Sequence, residues 1–302
     1  GREWLLTVSR NMSFWHQYLS SIGHYVNTKD FGVDAVNEQV YITIDGTQTH
    51  MFLTPNNAKE YAEAILNAVS SLKKIEELEA KYKTFAKKLI DTLELLKQDL
   101  TVHNLQIFFE KYTRMCAGLN LTAVLGRVGI DKLTEKLLKQ GVNEKDIPEI
   151  IGIITYPAEH TPLFDSQLDL LKIGARVQKE KMDDKDQDVA LEQWLSKYGY
   201  IPVNFCDEPW SLNDARSQLE SMLKKDCTKE VERLREVHEE KTANTQKQLE
   251  KINDKDITVL ATALAQGTYL NEFRKGIFSR VSLGYRDVFE KVARKGGSNN
   301  WR

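Results

Sequence analysis

Cysteine, proline and glycine are all scarce in this chain, at 3, 6 and 16 of 302 residues. Each scarcity excludes something. The cysteines, Cys116, Cys206 and Cys227, are odd in number and far apart, which argues against a disulfide framework and fits a reducing cytoplasm. No C-x-x-C or H-x-x-x-H spacing occurs, so no structural zinc site is expected. Few prolines and glycines among abundant Leu, Lys, Glu and Ala favour helix almost everywhere. No stretch approaches about 18 uncharged apolar residues, so no membrane span is expected, and no signal-peptide pattern opens the chain. The net charge is −2 and supplies no global field toward nucleic acid or anionic lipid. Phosphate-cradling glycine motifs, a G-x-S-x-G elbow and an H-E-x-x-H helix are all missing.

The content is correspondingly helical. The expected fold is mainly α, a multi-helix bundle with long antiparallel helices and a small N-terminal β-hairpin. "QVYITIDGTQTHMFLT", residues 39–54, is rich in β-formers around Asp45-Gly46, the mark of a hairpin with a tight turn. Residues 11–26 form an aromatic amphipathic helix with Phe14, Trp15, Tyr18 and Tyr25. From Asn57 onward apolar residues recur at steps of three and four through Tyr61, Ile65, Ile75, Leu89, Leu93 and Leu100, the stripe of a long bundle helix. Asn104 is a candidate cap for the next helix, and Gly141 suits the end of one spanning about 121–140. Ser211 and Asp214 resemble a capping box. Residues 228–252 carry a sparse apolar seam and read as one arm of an antiparallel helical hairpin, with "NDKD" as its turn and 256–294 returning. Residues 1–56 hold the aromatic helix and hairpin; 57–302 hold the bundle, continuous with them in one domain. The chain opens on Gly1-Arg2 and closes on "GGSNNWR", and both ends read as cuts in a longer polypeptide.

No complete catalytic constellation emerges. His16 and His24 sit roughly 80° apart on a helical wheel, a spacing that suits structural histidines better than a metal pair. His160, between two prolines and near Asp165, fits either a tuned base or a loop histidine bonded to backbone. The pairs Asp183-Asp184 and Asp207-Glu208 offer too few oxygens for a hard cation. Arg274 and Arg280 are separated by about 240° of helix and form no single basic stripe, so a nucleic-acid face is not expected. Single arginines better suit anions or carboxylates. The least regular stretch is "YGYIPVNFCDEPWSLNDARSQLESML", residues 198–223. Its prolines forbid helix. Its aromatics Tyr198, Tyr200, Phe205 and Trp210 fit two roles, filling a wedge where helices diverge or lining a pocket between them.

The order of three segments carries a resemblance. "TYPAEHTPLFDSQLDLLKIG", "LEQWLSKYGYIPVNFCDEPWSLNDARSQLESML" and "ATALAQGTYLNEFRKGIFSRVSLGYRDVFEKVA" together resemble the helical middle region of phosphoenolpyruvate-utilising phosphotransferases, of the phosphoenolpyruvate synthase-like and rifampicin phosphotransferase-like kind. The matching elements are Thr155 to Pro157, Lys197-Tyr198-Gly199-Tyr200, Glu208-Pro209-Trp210, and Arg274-Lys275 with Arg280, over about 155–293, with an echo in "WLLTVSRNMSFW". The resemblance implies a multidomain parent in which an ATP-grasp domain and a swivelling phosphohistidine domain flank this region. ATP and magnesium are implied for that parent alone. No histidine here lies in a Gly-rich Thr-Ser-His context, so the chemistry does not carry over. The implied role is a cytoplasmic, non-catalytic scaffold that docks the swivelling domain, with Tyr198, Tyr200, Trp210, Arg274 and Arg280 as pocket or interdomain contacts. The alternative is a stand-alone helical module for a protein partner or small apolar ligand.

Overall fold

The computed structural model describes residues 3–12, 14–33, 38–44, 48–203 and 207–297. The expected Asp45-Gly46 turn, Phe205, Cys206, the side chain of Phe14 and the terminal residues 1–2 and 298–302 lie outside the described residues. The fold is mainly helical with a small N-terminal antiparallel sheet, as the composition requires.

Strands β1 (Leu5–Asn11), β2 (Gln39–Ile44) and β3 (Gln48–Leu53) form that sheet in the order β1-β3-β2. The expected hairpin is β2 and β3, joined by a third strand that the sequence pattern did not announce. β1 has no buried residue and earns its place by pairing along the free edge of β3. β3 is central and alternates cleanly, with Thr49, Met51 and Leu53 buried. On β2 the core-facing residue is Tyr41, while Ile42 and Ile44 are exposed. The aromatic helix α1 (Phe14–Val26) starts later than expected, because Asn11 belongs to β1.

The apolar stripe after residue 57 breaks into α2 (Pro55–Ala68) and α3 (Leu72–Gln98), each opened by a side-chain cap from Thr54 and Ser71. α4 (Val102–Cys116) is capped by Thr101 and not by Asn104, whose amide instead donates to the Asp99 carbonyl at 2.8 Å, just past the end of α3. α5 (Leu121–Lys139) ends before Gly141, which has φ +81° as a helix terminus demands. α6 (Ile147–Ile154), α7 (Pro162–Glu180) and α8 (Asp184–Tyr198) follow. α9 (Leu212–Leu223) carries the reciprocal Ser211/Asp214 capping box. α10 (Cys227–Ile252) turns through Asn253, at φ +50°, into α11 (Lys255–Lys295). The two arms are where the sequence placed them, but α10 packs mainly on α6 and α7 instead of along α11.

Two apolar clusters result. The larger joins the sheet, α1 to α6 and α11. Within it α11 lies against both α3 and α5, burying Leu264, Leu270, Phe278, Val281, Tyr285 and Phe289. The smaller belongs to α7, α8 and α9 and centres on Leu170, Leu191, Trp194, Tyr198, Ala215 and Leu219. No helix among the described residues is long and apolar enough to cross a membrane.

α1 reaches α4 at Gly23, where an added methyl would sit 2.2 Å from the Thr113 carbonyl oxygen and 2.9 Å from Cys116 Cβ. Backbone cannot yield there as a side chain can. Gly23→Ala is therefore expected to destabilise the fold by roughly 1–3 kcal/mol. Gly126, inside α5 with nothing near its missing Cβ, supplies the contrast. Gly126→Ala is expected to stabilise by about 0.5–1 kcal/mol through the unfolded chain and helix propensity. Urea unfolding of both variants checks the pair.

Candidate functional site

Helix α8 ends because Gly199 and Pro202 follow Tyr198. The chain then makes a short 3-10 turn over Ile201–Val203 and returns, with the Trp210 N–H donating to the Gly199 carbonyl at 3.0 Å. That bond closes the irregular stretch into a loop on the end of α8. The Trp210 ring stacks on Trp194 at 5.3 Å with 13° between planes, and the Trp194 indole N–H donates to the Ser166 carbonyl at 2.8 Å. Tyr198 is buried in the smaller core, and its hydroxyl donates to Asp169 Oδ2 at 2.7 Å. Lys197 Nζ and Lys172 Nζ reach the same carboxylate, each at 2.8 Å. Partial burial would raise the Asp169 pKa, but these three donors outweigh it and hold the carboxyl well below the usual carboxylate range.

A cleft of about 800 Å³ opens between this loop and the faces of α3 and α11. Tyr198, Tyr200, Trp210 and Arg280 all line it, with Lys97 and Glu94 across from them. Tyr200 is partly buried and its phenol pKa is raised by that burial. Arg280 is exposed and has no carboxylate partner among the described residues. The aromatics therefore both fill the wedge and form a wall. The Asp207-Glu208 pair is held on the loop by Arg286: its guanidinium reaches both Glu208 oxygens at 3.2 Å and also bonds the Asp207 carbonyl. Asp183 is the N-cap of α8. Among the described residues no group of three or more His, Cys, Asp or Glu side chains is placed to hold a metal.

Arg274, expected among the same contacts, is elsewhere. It is 5 % exposed and points into the larger core, on the other side of α11. Nε donates to Thr122 Oγ1 at 2.9 Å and Nη2 to Asn271 Oδ1 at 2.6 Å, bracing α5 against α11. It lines a second cavity, of about 210 Å³, beneath the sheet with Arg10, Ser20, His24, Tyr41 and Lys275. His24 Nδ1 is hydrogen-bonded to the Tyr41 hydroxyl at 2.5 Å, and His16 Nδ1 to the Tyr112 hydroxyl. Burial, and then the charge of Arg274, lowers the His24 pKa to about 4. Burial, then His24 and Arg274, lowers that of His16 to about 3. Both are neutral internal polar groups. This placement agrees with the sequence reading of His16 and His24 as structural histidines, whereas Arg10 and Tyr41 are not among its candidates. Tyr41's place in the β2 alternation was the one available signal; Arg10 joins it only through the sheet.

His160 meets Asp165 Oδ1 at 3.1 Å on the surface, and its ring lies 4.5 Å from that of His238. His238 bonds the Tyr156 hydroxyl at 2.9 Å and the Ala158 carbonyl at 3.0 Å. No Ser, Thr or Cys nucleophile completes this group among the described hydrogen bonds. The Cys116 thiol is buried and its pKa is pushed far up by burial, which disfavours the thiolate.

Comparison with family models, with curated proteins and with solved structures found no match to this chain.

Asp169→Asn is expected to cost about 0.5–1 kcal/mol at neutral pH, the range of solvent-screened ion pairs. A carboxyl depressed in the folded state stabilises above its unfolded pKa, about 4. That contribution is lost as pH falls further, so the gap between variant and parent urea midpoints narrows below about pH 4. The buried histidines act in a neighbouring window. Their folded pKa values lie below the unfolded value, so stability is full above about pH 6.5 and declines toward pH 4, by up to ~1.4 kcal/mol per pH unit for each. His24→Gln is expected to flatten that decline, read as urea midpoint against pH.

Proposed function

We propose that this chain is the helical scaffold of a larger phosphotransferase, similar in segment order to the middle region of phosphoenolpyruvate-utilising enzymes. Its cleft is the surface on which the mobile phosphohistidine domain docks. The observation that carries this reading is the convergence of Tyr198, Tyr200, Trp210 and Arg280 on one open cleft between two separately packed cores. Three of the sequence elements behind the resemblance supply those residues. A docking surface needs a rigid floor, and the Trp194–Trp210 stack with the Asp169 hub provides one. It also needs an unspent charge for a phosphorylated imidazole, and Arg280, exposed on α11, offers a guanidinium suited to phosphate oxygens. On this reading ATP and magnesium act in other parts of the parent protein, whose compartment is the cytoplasm.

A second reading, a self-contained helical module that binds a ligand, is favoured by the cavity beside Arg274. The coding sequence separates the two. The scaffold reading expects it to continue past Arg302 into a Gly-rich segment bearing a reactive histidine. A stop codon there, with no nucleotide-binding segment upstream, overturns it. Phosphoryl-transfer assays on this chain alone are expected to be silent. In the complete protein, Arg280→Glu combined with Trp210→Ala is expected to lower turnover at least about tenfold, on the order of 1.4 kcal/mol, while leaving the melting temperature of this region within a few degrees. Unchanged turnover removes the cleft from the mechanism.

A further inference from the structure

Arg274 poses a problem of charge. Its guanidinium is almost fully buried, yet among the described residues no Asp or Glu lies within ion-pair distance of it, and it donates hydrogen bonds to the neutral Thr122 and Asn271. Burial lowers its pKa to about 10, with Tyr82 and the Glu272 carboxylate, beyond ion-pair distance, opposing the drop and Arg10 adding to it, so it is still a cation at neutral pH. A buried, unpaired guanidinium is costly unless something compensates it. Thr122 and Asn271 supply dipoles, not a charge.

The cavity beside it is one-signed. Arg10, Arg274 and Lys275 line it, and no carboxylate does. Lys275 is the partly satisfied member, bonded to Glu272 at 2.7 Å. Ser20 and Thr49 add hydroxyl groups to the lining, and His24, which also lines it, has an Nε2 without a partner among the described residues. This is a polar chamber with cations and no anion in its lining among the described residues.

A second, smaller cavity of about 100 Å³ adjoins it, sharing Thr7, Val8, Met51, Asn120 and Ala123. Its further walls are Leu53, Ala58, Val124 and the Tyr61 ring, with Arg127 as the one charged member and the buried Tyr61 hydroxyl without a partner among the described residues. A cation-lined chamber adjoining a mostly apolar one matches a molecule with a charged and an apolar end. Pockets that hold small molecules combine an apolar lining with a few placed polar groups in this manner.

We infer that the space beneath the sheet is a binding site for a small organic acid. Its anionic head sits against Arg274 and Arg10, and its compact apolar body lies between β3, α2 and α5. The site is independent of the docking cleft, which lies between α8, α11 and α3, and does not rest on the role proposed for that cleft. The ligand supplies an anion beside Arg274, where the cavity lining has no carboxylate among the described residues. It also explains why Arg274, the one fully charged side chain among the described buried residues, is kept at this place.

The test is thermal unfolding of the whole chain at constant ionic strength with three probes: hexanoate, which has both ends, inorganic phosphate, which has only charge, and hexanol, which has only the body. Hexanoate is expected to raise the melting temperature progressively with concentration, and more than hexanol or phosphate at equal concentration. Arg10→Gln removes one cation from an exposed strand position without touching the core, and is expected to weaken hexanoate binding at least about tenfold, on the order of 1.4 kcal/mol. Arg274→Met is expected to abolish the response while relieving the burial of charge, and Arg10→Gln keeps the test decisive should that variant not fold. An arginine that merely braces α5 against α11 predicts no response to any probe. That result overturns the inference, as do an equal response to hexanol, a response to phosphate without hexanoate, or an undiminished response in Arg10→Gln.

Discussion

Helix α11 is the constraint on which the rest of the molecule depends. Its 41 residues run without a break for about 60 Å, and it meets α3 and α5 on the side of the large core and the Ile201–Val203 turn on the side of the small one. A helix of that length is held by the apolar face it buries more than by intrinsic propensity. Leu264, Leu270, Phe278, Val281, Tyr285 and Phe289 supply that face. Because the helix is rigid, whatever projects from its opposite sides is held at fixed separation. Arg274 and Arg280 are the instance that matters: about 240° of rotation sends one toward the cavity beneath the sheet and the other into the cleft.

The two sites differ in how charge is treated, and the difference follows from solvent. At the cleft Arg280 is exposed, and water screens it at little cost. The carboxylates lining it are engaged, Glu94 by Lys97 and Asp165 by His160, and so are those beside its loop, Asp169 by two lysines and Tyr198, Glu208 by Arg286. Those beside the loop stiffen it, and the arginine is left as the unspent group. Under the sheet, Arg274 has exchanged water for Thr122 and Asn271, and its field reaches far enough to keep His16 and His24 neutral alongside their own burial. A buried cation beside neutral histidines, in a cavity lined by no carboxylate among the described residues, is the arrangement from which an anion site is inferred.

The irregular stretch after α8 illustrates how a local breaker becomes a tertiary joint. Pro202 and Pro209 end helix for covalent reasons. The direction the chain then takes is decided by the Trp210 N–H bond to Gly199 and by the stack of Trp210 on Trp194. The aromatics thus plug the wedge between α8 and α9 and wall the cleft at once, so the two roles open to them from sequence are not exclusive.

What the sequence alone determined is local. Periodicity placed the helices, the capping box of α9 and the glycine after α5 marked their ends, and the alternation at 39–54 marked two strands. These features depend on a few neighbouring residues, whose preferences are written in side-chain branching, hydrogen-bonding groups and backbone freedom. Tertiary structure decided the remainder. β1, lacking any buried residue, is a strand only because β3 offers it an edge. α10, whose seam is sparse, finds α6 and α7 instead of its neighbour in sequence. Arg274 reads as one more basic residue on an amphipathic helix until Thr122, 152 positions earlier, is brought to its Nε. Burial is a property of what surrounds a residue, and those surroundings are assembled from segments far apart in the chain. Both the cation under the sheet and the cleft beside it became visible for that reason only in three dimensions.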